Sequence, residues 1–482
     1  MSFNSLLFAV FLPVVFGLYW FVFGRNYKWQ NVFVVVASYI FYGWWNWRFL
    51  SLIAFTSFCS WGSGLLIARF RLKGKNPCWI SAANIVLNLG ILCLFKYYDF
   101  FAQSFADLFL GGKTDGVLLH LVLPVGISFY TFQALSYSID VYRGKIEATR
   151  DIVQFFAFVS FFPQLVAGPI ERSTNLLPQF GRARKFEYAQ AVDGFRQILW
   201  GYFKKVVVAD SCAVYVNAVF GDIHAYGGGW LAAAAILFAF QVYGDFSGYA
   251  DIAIGTAKLF GIKLTQNFAT PFFSRTTSEF WQRWHITLMT WFRDYVYIPL
   301  GGSHKSKART IANVLIVFTL SGLWHGADWN KVGWGVYCGL LMIPGVLSSR
   351  PRRKLTGVVA EGKTLPTWAE LWQMVATFSL IVLGLIFFRT ESPAQTVACF
   401  SNLFKTSTDS FAALLIRPKL FVASIWIPVL LTVEWIGRTE PHALTMKRVK
   451  SRQVRFFVYA LLSGLMVLYF DNGAPAFFYF QF

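Results

Sequence analysis

Apolar runs long enough to cross a bilayer recur along this chain, and they restrict its fold more than any single motif. Candidate spans lie at 5–24, 31–46, 50–68, 79–100, 117–140, 195–220, 229–257, 310–324, 332–349, 371–389, 416–436 and 455–471. A helix needs about 20 apolar residues to cross the hydrocarbon core. Within lipid every backbone N–H and C=O must be satisfied inside the protein, which leaves helical bundles and closed barrels. A membrane barrel would show alternating segments of about 10 residues, and none is visible. The expectation is therefore an all-α polytopic membrane protein, a helical bundle of about 11–13 transmembrane or re-entrant helices. It forms a single integral-membrane domain over 1–482. The run 152–170 is interrupted by Pro163, Gly168 and Pro169. It reads as a broken or re-entrant segment, a form tolerated only where protein surrounds it. Composition agrees: 56% of the 482 residues are hydrophobic, 14% are charged, and the mean hydropathy is +0.51.

The net charge of +20 would suggest nucleic acid on a soluble protein. Here the basic residues gather between apolar runs, as "RFRLKGK" (69–75), "RARK" (182–185), "SHKSKAR" (303–309), "RPRRK" (350–354) and "KRVKSRQVR" (447–455). That is the pattern of positive-inside loops, so no nucleic-acid partner is expected. Placing these stretches on the cytoplasmic side puts 101–116, 390–410 and both termini outside. The first apolar run has no basic residues before it and reads as a retained helix. The segment 258–309 is broken by Pro271 and Pro299 and rich in Trp, Arg and Lys; it reads as cytoplasmic or interfacial loops and short helices. The aromatic C-terminal tail, 474–482, reads as an anchor whose only hydroxyl is Tyr479. The six cysteines are scattered without metal-binding or redox spacing, so no metal site is expected.

Ionisable side chains are the places where such a chain can do chemistry. His325, in "TLSGLWHGADW", lies between two uncharged apolar runs. Such a histidine can simply bond a carbonyl at a helix end. Within a membrane, however, an ionisable group is a functional candidate by default, and a neutral imidazole can take a proton from a hydroxyl near neutral pH. Gly322 and Gly326 flank it and permit close approach. His285 lies in "SEFWQRWHITLMTWFRDY", among Trp281, Trp284, Trp291, Arg283 and Arg293. This stretch reads either as an interfacial anchor helix or as a vestibule whose arginines meet a phosphorylated substrate. Asp245 and Asp251, in "YGDFSGYAD", read as structural pairing partners for buried charge. His120, His224, His304 and His442 read as solvated. Nucleophile-elbow, P-loop and zinc-protease signatures are missing from the sequence.

Several long motifs, in order, resemble the membrane-bound O-acyltransferase (MBOAT) family, and within it the alginate O-acetyltransferase branch. They are "ASYIFYGWWN" (37–46), "LPVGISFYTFQALSYSIDVYRG" (123–144), "FVSFFPQLVAGPIER" (158–172), "YGDFSGYADIAIG" (243–255), "NFATPFFSRTTSEFWQRWHITLMTWFRDYVYIPLGG" (267–302) and "LSGLWHG" (320–326). Ser321 stands where that branch has glycine. The resemblance implies a bundle with funnels on both faces in a bacterial inner membrane. It implies acetyl-CoA as acyl donor, with no permanently bound cofactor. The product would be an O-acetylated cell-envelope polysaccharide, with a periplasmic SGNH-type protein finishing the transfer. The family's invariant histidine maps onto His325, its second histidine onto His285, and a tyrosine proposed as transient acyl carrier onto Tyr479. On this reading the donor phosphates meet Arg275, Arg283, Arg293, Lys305 and Lys307, Trp284 also binds the donor, and His285 or an amide stabilises the oxyanion or the leaving thiolate. The principal rival is a transporter or polymer flippase with a histidine proton relay; another is a non-catalytic envelope scaffold.

Overall fold

Side-chain oxygens mark many of the helix starts. Ser5, Asn26, Asp151, Thr276, Ser306, Asp328, Thr367, Ser392 and Ser451 each accept a first-turn backbone N–H, and Thr367 with Glu370 completes a capping box. The computed structural model describes residues 1–112, 116–348, 357–405, 418–447 and 449–470, without the side chains of 418–424. The tail with Tyr479 and the basic stretch 350–354 lie outside the described residues.

Among the described residues the structure is helical, with no strand. The first helices are α1 (Leu6–Gly17), α2 (Tyr27–Asn46), α3 (Leu50–Leu72), α4 (Cys78–Leu92), α5 (Tyr98–Phe109), α6 (Ile127–Tyr142), α7 (Ile152–Ser160), α8 (Phe162–Leu165), α9 (Ser173–Phe180) and α10 (Tyr188–Tyr202). There follow α11 (Asp210–Gly221), α12 (Gly228–Leu259), α13 (Thr277–Arg283), α14 (Ile286–Phe292), α15 (Lys307–His325), α16 (Trp329–Leu347), α17 (Trp368–Arg389), α18 (Pro393–Leu403), α19 (Pro418–Ile436) and α20 (Arg452–Tyr469). Four stretches of the described residues are long and apolar enough to cross a membrane: Tyr27–Leu72, Cys78–Phe109, Gly228–Leu259 and Trp368–Arg389. Several other apolar runs are shortened or interrupted. The run 195–220 contains a π turn at Phe203–Ala209, and α1, α16 and α19 contain Pro13, Pro344 and Pro428.

The chain divides into two compact units. The first comprises Met1–Phe195 with Ala253–Thr265. Polar contacts join its helices to one another and to the segments between them, as expected where lipid gives helices little hydrophobic reason to associate. Asn84 donates to Ser138 Oγ at 2.9 Å, Arg184 to Asn31 Oδ1 at 2.7 Å, and Tyr19 OH to the Phe260 carbonyl at 3.0 Å. The irregular half of the broken segment is enclosed: Phe161 to Glu171 are buried, and Glu171 accepts from the Thr265 amide and from Asn175. Protein thus supplies what an irregular backbone cannot obtain from lipid.

In the second unit, Arg196–Ile252 with Gln266–Phe482, backbones touch at several places, and two of them shape the site. In the first, α12 meets the end of α10 and its π turn. A Cβ on Gly248 would lie 2.7 Å from the Gly201 carbonyl oxygen, and one on Gly244 would lie 2.7 Å from that of Lys204. Lys204 thereby reaches Asp251 at 2.6 Å and Ser247 Oγ at 2.9 Å, while Lys205 reaches Asp245 at 2.6 Å and Asp210 at 2.9 Å. The two aspartates of "YGDFSGYAD" are structural partners, as their burial required, and the partners are consecutive lysines. In the second place, α15 and α16 form an antiparallel hairpin. A Cβ on Gly322 would collide with the Lys331 carbonyl and one on Gly335 with that of Phe318. Lys307 Nζ donates to the Leu347 carbonyl at 3.0 Å across the open end.

Breaking a buried ion pair by removing one partner leaves an uncompensated charge, at a cost of about 3–5 kcal/mol. Lys204→Met is therefore expected to reduce sharply the yield of monodisperse protein in detergent. Lys204→Met with Asp251→Leu is expected to recover most of it. Equal yields for the single and double variants would contradict the pairing.

Candidate active site

His325 is the last residue of α15, and Gly326 turns the chain out of the helix with extended geometry. The hairpin then brings α16 back, so that Trp334 stands edge-on to the His325 ring at 5.1 Å. Phe388, at the end of α17, lies 5.5 Å from it, and Trp324 lies 4.9 Å away. The imidazole is 5% exposed. It lines a cavity of about 20 Å³ together with Phe280, Trp281, Trp284, Trp334, Cys338 and Phe388. Such a space takes little more than a water molecule.

His285 joins this group from the opposite side. It sits between α13 and α14 at φ 45°, a left-handed conformation uncommon for a residue with a side chain. Strain of this kind persists only where the surroundings enforce it. Its ring lies 6.3 Å from that of His325, 4.7 Å from Phe246 and 5.8 Å from Trp324. It is 1% exposed, and burial pushes its pKa down to about 3, so the ring is neutral in the folded protein. The sign follows from linkage. The folded pKa is below the unfolded one, so this group's contribution is complete above about pH 6.5 and declines as pH falls toward the folded value.

A second, larger cavity of about 320 Å³ is polar. Its lining includes Lys204, Tyr243, Asp251, Arg283, Glu434, Arg438 and His442. Tyr243 OH donates to Glu434 at 2.7 Å, and Arg438 donates to the Val359, Ala360 and Lys363 carbonyls. His442 is buried here, contrary to the expectation of solvation. Tyr243 packs against Phe272 at 4.8 Å, and Phe268 against Trp284 at 5.1 Å. Phe272 and Trp284 also line the His325 cavity, so an aromatic partition separates the two spaces.

The fold brings together some of the residues singled out from sequence. His285, His325 and Trp284 share one site, and Arg283 lines the polar cavity. Arg275 and Arg283 both grip Glu279 at 3.0 Å, which keeps the Arg275 guanidinium firmly charged. Arg293 is exposed and pairs with Asp294, and Lys305 is exposed; neither lines either cavity. Asn267, Lys204, Glu434 and Phe388 were not anticipated. A lysine inside the apolar run 195–220 was itself a signal. For Asn267 and Phe388 only the fold reveals the contact.

Two buried imidazoles thus face each other, one at the end of a glycine-seamed hairpin and the other on a strained turn. The sequence model of MBOAT, the membrane-bound O-acyltransferase family, matches residues 39–386. The chain is 36% identical over 411 residues to a protein of Pseudomonas aeruginosa named probable alginate O-acetylase AlgI, covering 85% of this chain and 76% of that one. It is 33% identical to the peptidoglycan O-acetyltransferase of Helicobacter pylori, covering 81% and 77%. The teichoic acid D-alanyltransferase of Bacillus subtilis is more distant, at 24% identity over 76% of this chain and 91% of that one. The chain belongs to the membrane-bound O-acyltransferase family and is a membrane-embedded acyltransferase.

Proposed function

We propose that this enzyme takes acetyl from cytoplasmic acetyl-CoA and supplies it for O-acetylation of a cell-envelope polysaccharide, from the bacterial inner membrane. The names of the relatives support O-acetylation, and alginate, peptidoglycan and cellulose are all acceptors of suitable chemistry. The observation that carries the reading is the pairing of His325 and His285, their rings 6.3 Å apart, with His325 facing an aromatic cavity of about 20 Å³, a tight space that disfavours long acyl chains. The cavity of about 320 Å³ suits the amide-bearing arm of a thioester donor, and Lys204, Arg283 and Arg438 in its lining give it positive charge that favours a polyanion.

The thioester carbonyl sits against His325, and an acceptor hydroxyl approaches it. His325 takes the hydroxyl proton as the oxygen attacks the carbonyl carbon. The tetrahedral intermediate collapses, the C–S bond breaks, and the imidazolium returns its proton to the departing sulfur. The ester formed and the free thiol account for every atom. The hydroxyl belongs to the polymer, to a periplasmic SGNH-type partner, or to Tyr479 as a transient carrier.

A positioned base contributes about 10²–10⁴-fold. His325→Ala is therefore expected to remove alkali-labile acetate from the polymer while leaving the protein inserted; normal acetylation in that variant would refute the base. Under the carrier route, Tyr479→Phe reduces acetate on the polymer at unchanged protein level; an undiminished signal removes the tyrosine from the pathway. The aromatic walls also predict donor selectivity. Wild type should prefer acetyl- over butyryl-CoA, and Trp281→Ala should narrow that preference by about 10-fold or more. An unchanged ratio would contradict the cavity's role in fitting the acyl group.

A further inference from the structure

Asn267 ties down the strained turn that carries His285. Its backbone carbonyl accepts the Ile286 amide at 2.9 Å. Its side-chain Oδ1 accepts the Thr287 amide at 3.2 Å and the Thr287 hydroxyl at 2.9 Å, and lies 3.2 Å from His285 Nδ1. Asparagine oxygen and nitrogen are easily exchanged in a structure, but here the chemistry decides. A backbone N–H can only donate, so the side-chain atom facing the Thr287 amide must be the oxygen. A flip would turn the NH₂ group onto that donor. The orientation leaves Asn267 Nδ2 buried without a partner among the described residues, although a buried unsatisfied donor costs about 1–3 kcal/mol. The bonds to Oδ1 outweigh that cost.

An oxygen that only accepts requires a donor on His285 Nδ1. In a neutral imidazole one nitrogen carries the proton and the other a lone pair. We infer that Asn267 is a positioning residue that holds His285 in the Nδ1–H tautomer, so that Nε2 is an acceptor and His285 assists proton removal. The neutral ring then has no proton to give an oxyanion, the other role open to it from sequence. The spacing of the two rings agrees. Ring nitrogens lie about 1.1 Å from their centroid, so centroids 6.3 Å apart leave the nitrogens beyond the 2.7–3.2 Å of a direct hydrogen bond. The proton on Nδ1 stands on geometry and the bare Nε2 on the burial that keeps the ring neutral; the catalytic consequence rests on the acyltransfer reading.

The test uses full-length protein in lipid nanodiscs, labelled with [¹⁵N]histidine. The His285 signals are identified as those lost in His285→Gln. The expected result near neutral pH is a protonated Nδ1 and a bare Nε2 in wild type, shifting toward protonated Nε2 in Asn267→Leu. A protonated Nε2 in wild type overturns the inference. In acetyl transfer, Asn267→Leu should lower kcat by about 10²-fold or more with donor KM within about twofold, since a misplaced tautomer removes a proton acceptor. Asn267→Asp keeps the acceptor and adds charge, so it should retain the tautomer and move the acidic limb of kcat upward by about one pH unit. An unmoved limb contradicts the contact. Should Asn267→Leu fail to fold, the wild-type spectrum and the aspartate variant decide. The spectrum requires no turnover. The expected tautomer in a protein that transfers no acetyl would therefore remove the acetyl-transfer reading and leave this assignment standing.

Discussion

The contact of bare backbones between α15 and α16 is the constraint on which the site depends. Gly322 lies under the Lys331 carbonyl and Gly335 under that of Phe318, with Gly339 close to Leu315. Any side chain at the first two positions would force the helices apart. Close approach of this kind is how helices associate in lipid, where packing and hydrogen bonds take over from the hydrophobic effect. It brings Trp334 onto the ring of His325, and Lys331 Nζ onto the Phe388 carbonyl at 2.8 Å. The histidine, the aromatic wall and the end of α17 are thereby set by one seam.

Two spaces of unlike character lie on either side of the partition formed by Phe272 and Trp284. The one at His325 is small and aromatic, and strengthens any electrostatic interaction by excluding water. The other holds paired charges, with Lys204 on Asp251 and Tyr243 on Glu434. Burying these groups is tolerable because each has a partner. A thioester donor has the same division, with an apolar acyl end and a polar arm. On the proposed reading its reactive carbon lies at the partition formed by Phe272 and Trp284.

Much of this was legible in the sequence. The apolar runs gave the helical membrane class, and His325 stood out because an imidazole between uncharged runs requires a reason. Asp245 and Asp251 announced buried pairing, though not that Lys204 and Lys205 would supply it from a π turn. Other features were not legible. That His285 and His325 meet depends on the buried segment 266–292, whose turns at Thr270 and His285 both adopt positive φ. No periodicity encodes such turns. The partners of the basic residues were not legible either. Arg275 and Arg283 are committed to Glu279, and Arg293 to Asp294. A run of charge in sequence does not say which cations face a cavity and which are paired.

The central claim is that a thioester is cleaved at His325 rather than a solute carried past it. The most direct measurement is the release of free CoA from acetyl-CoA by purified protein in proteoliposomes, with a hydroxyl acceptor present, alongside flux of the acceptor. The account predicts stoichiometric thiol and acetyl ester, both lost in His325→Ala, without net acceptor flux. Flux without thiol, or thiol release undiminished by that substitution, would contradict it.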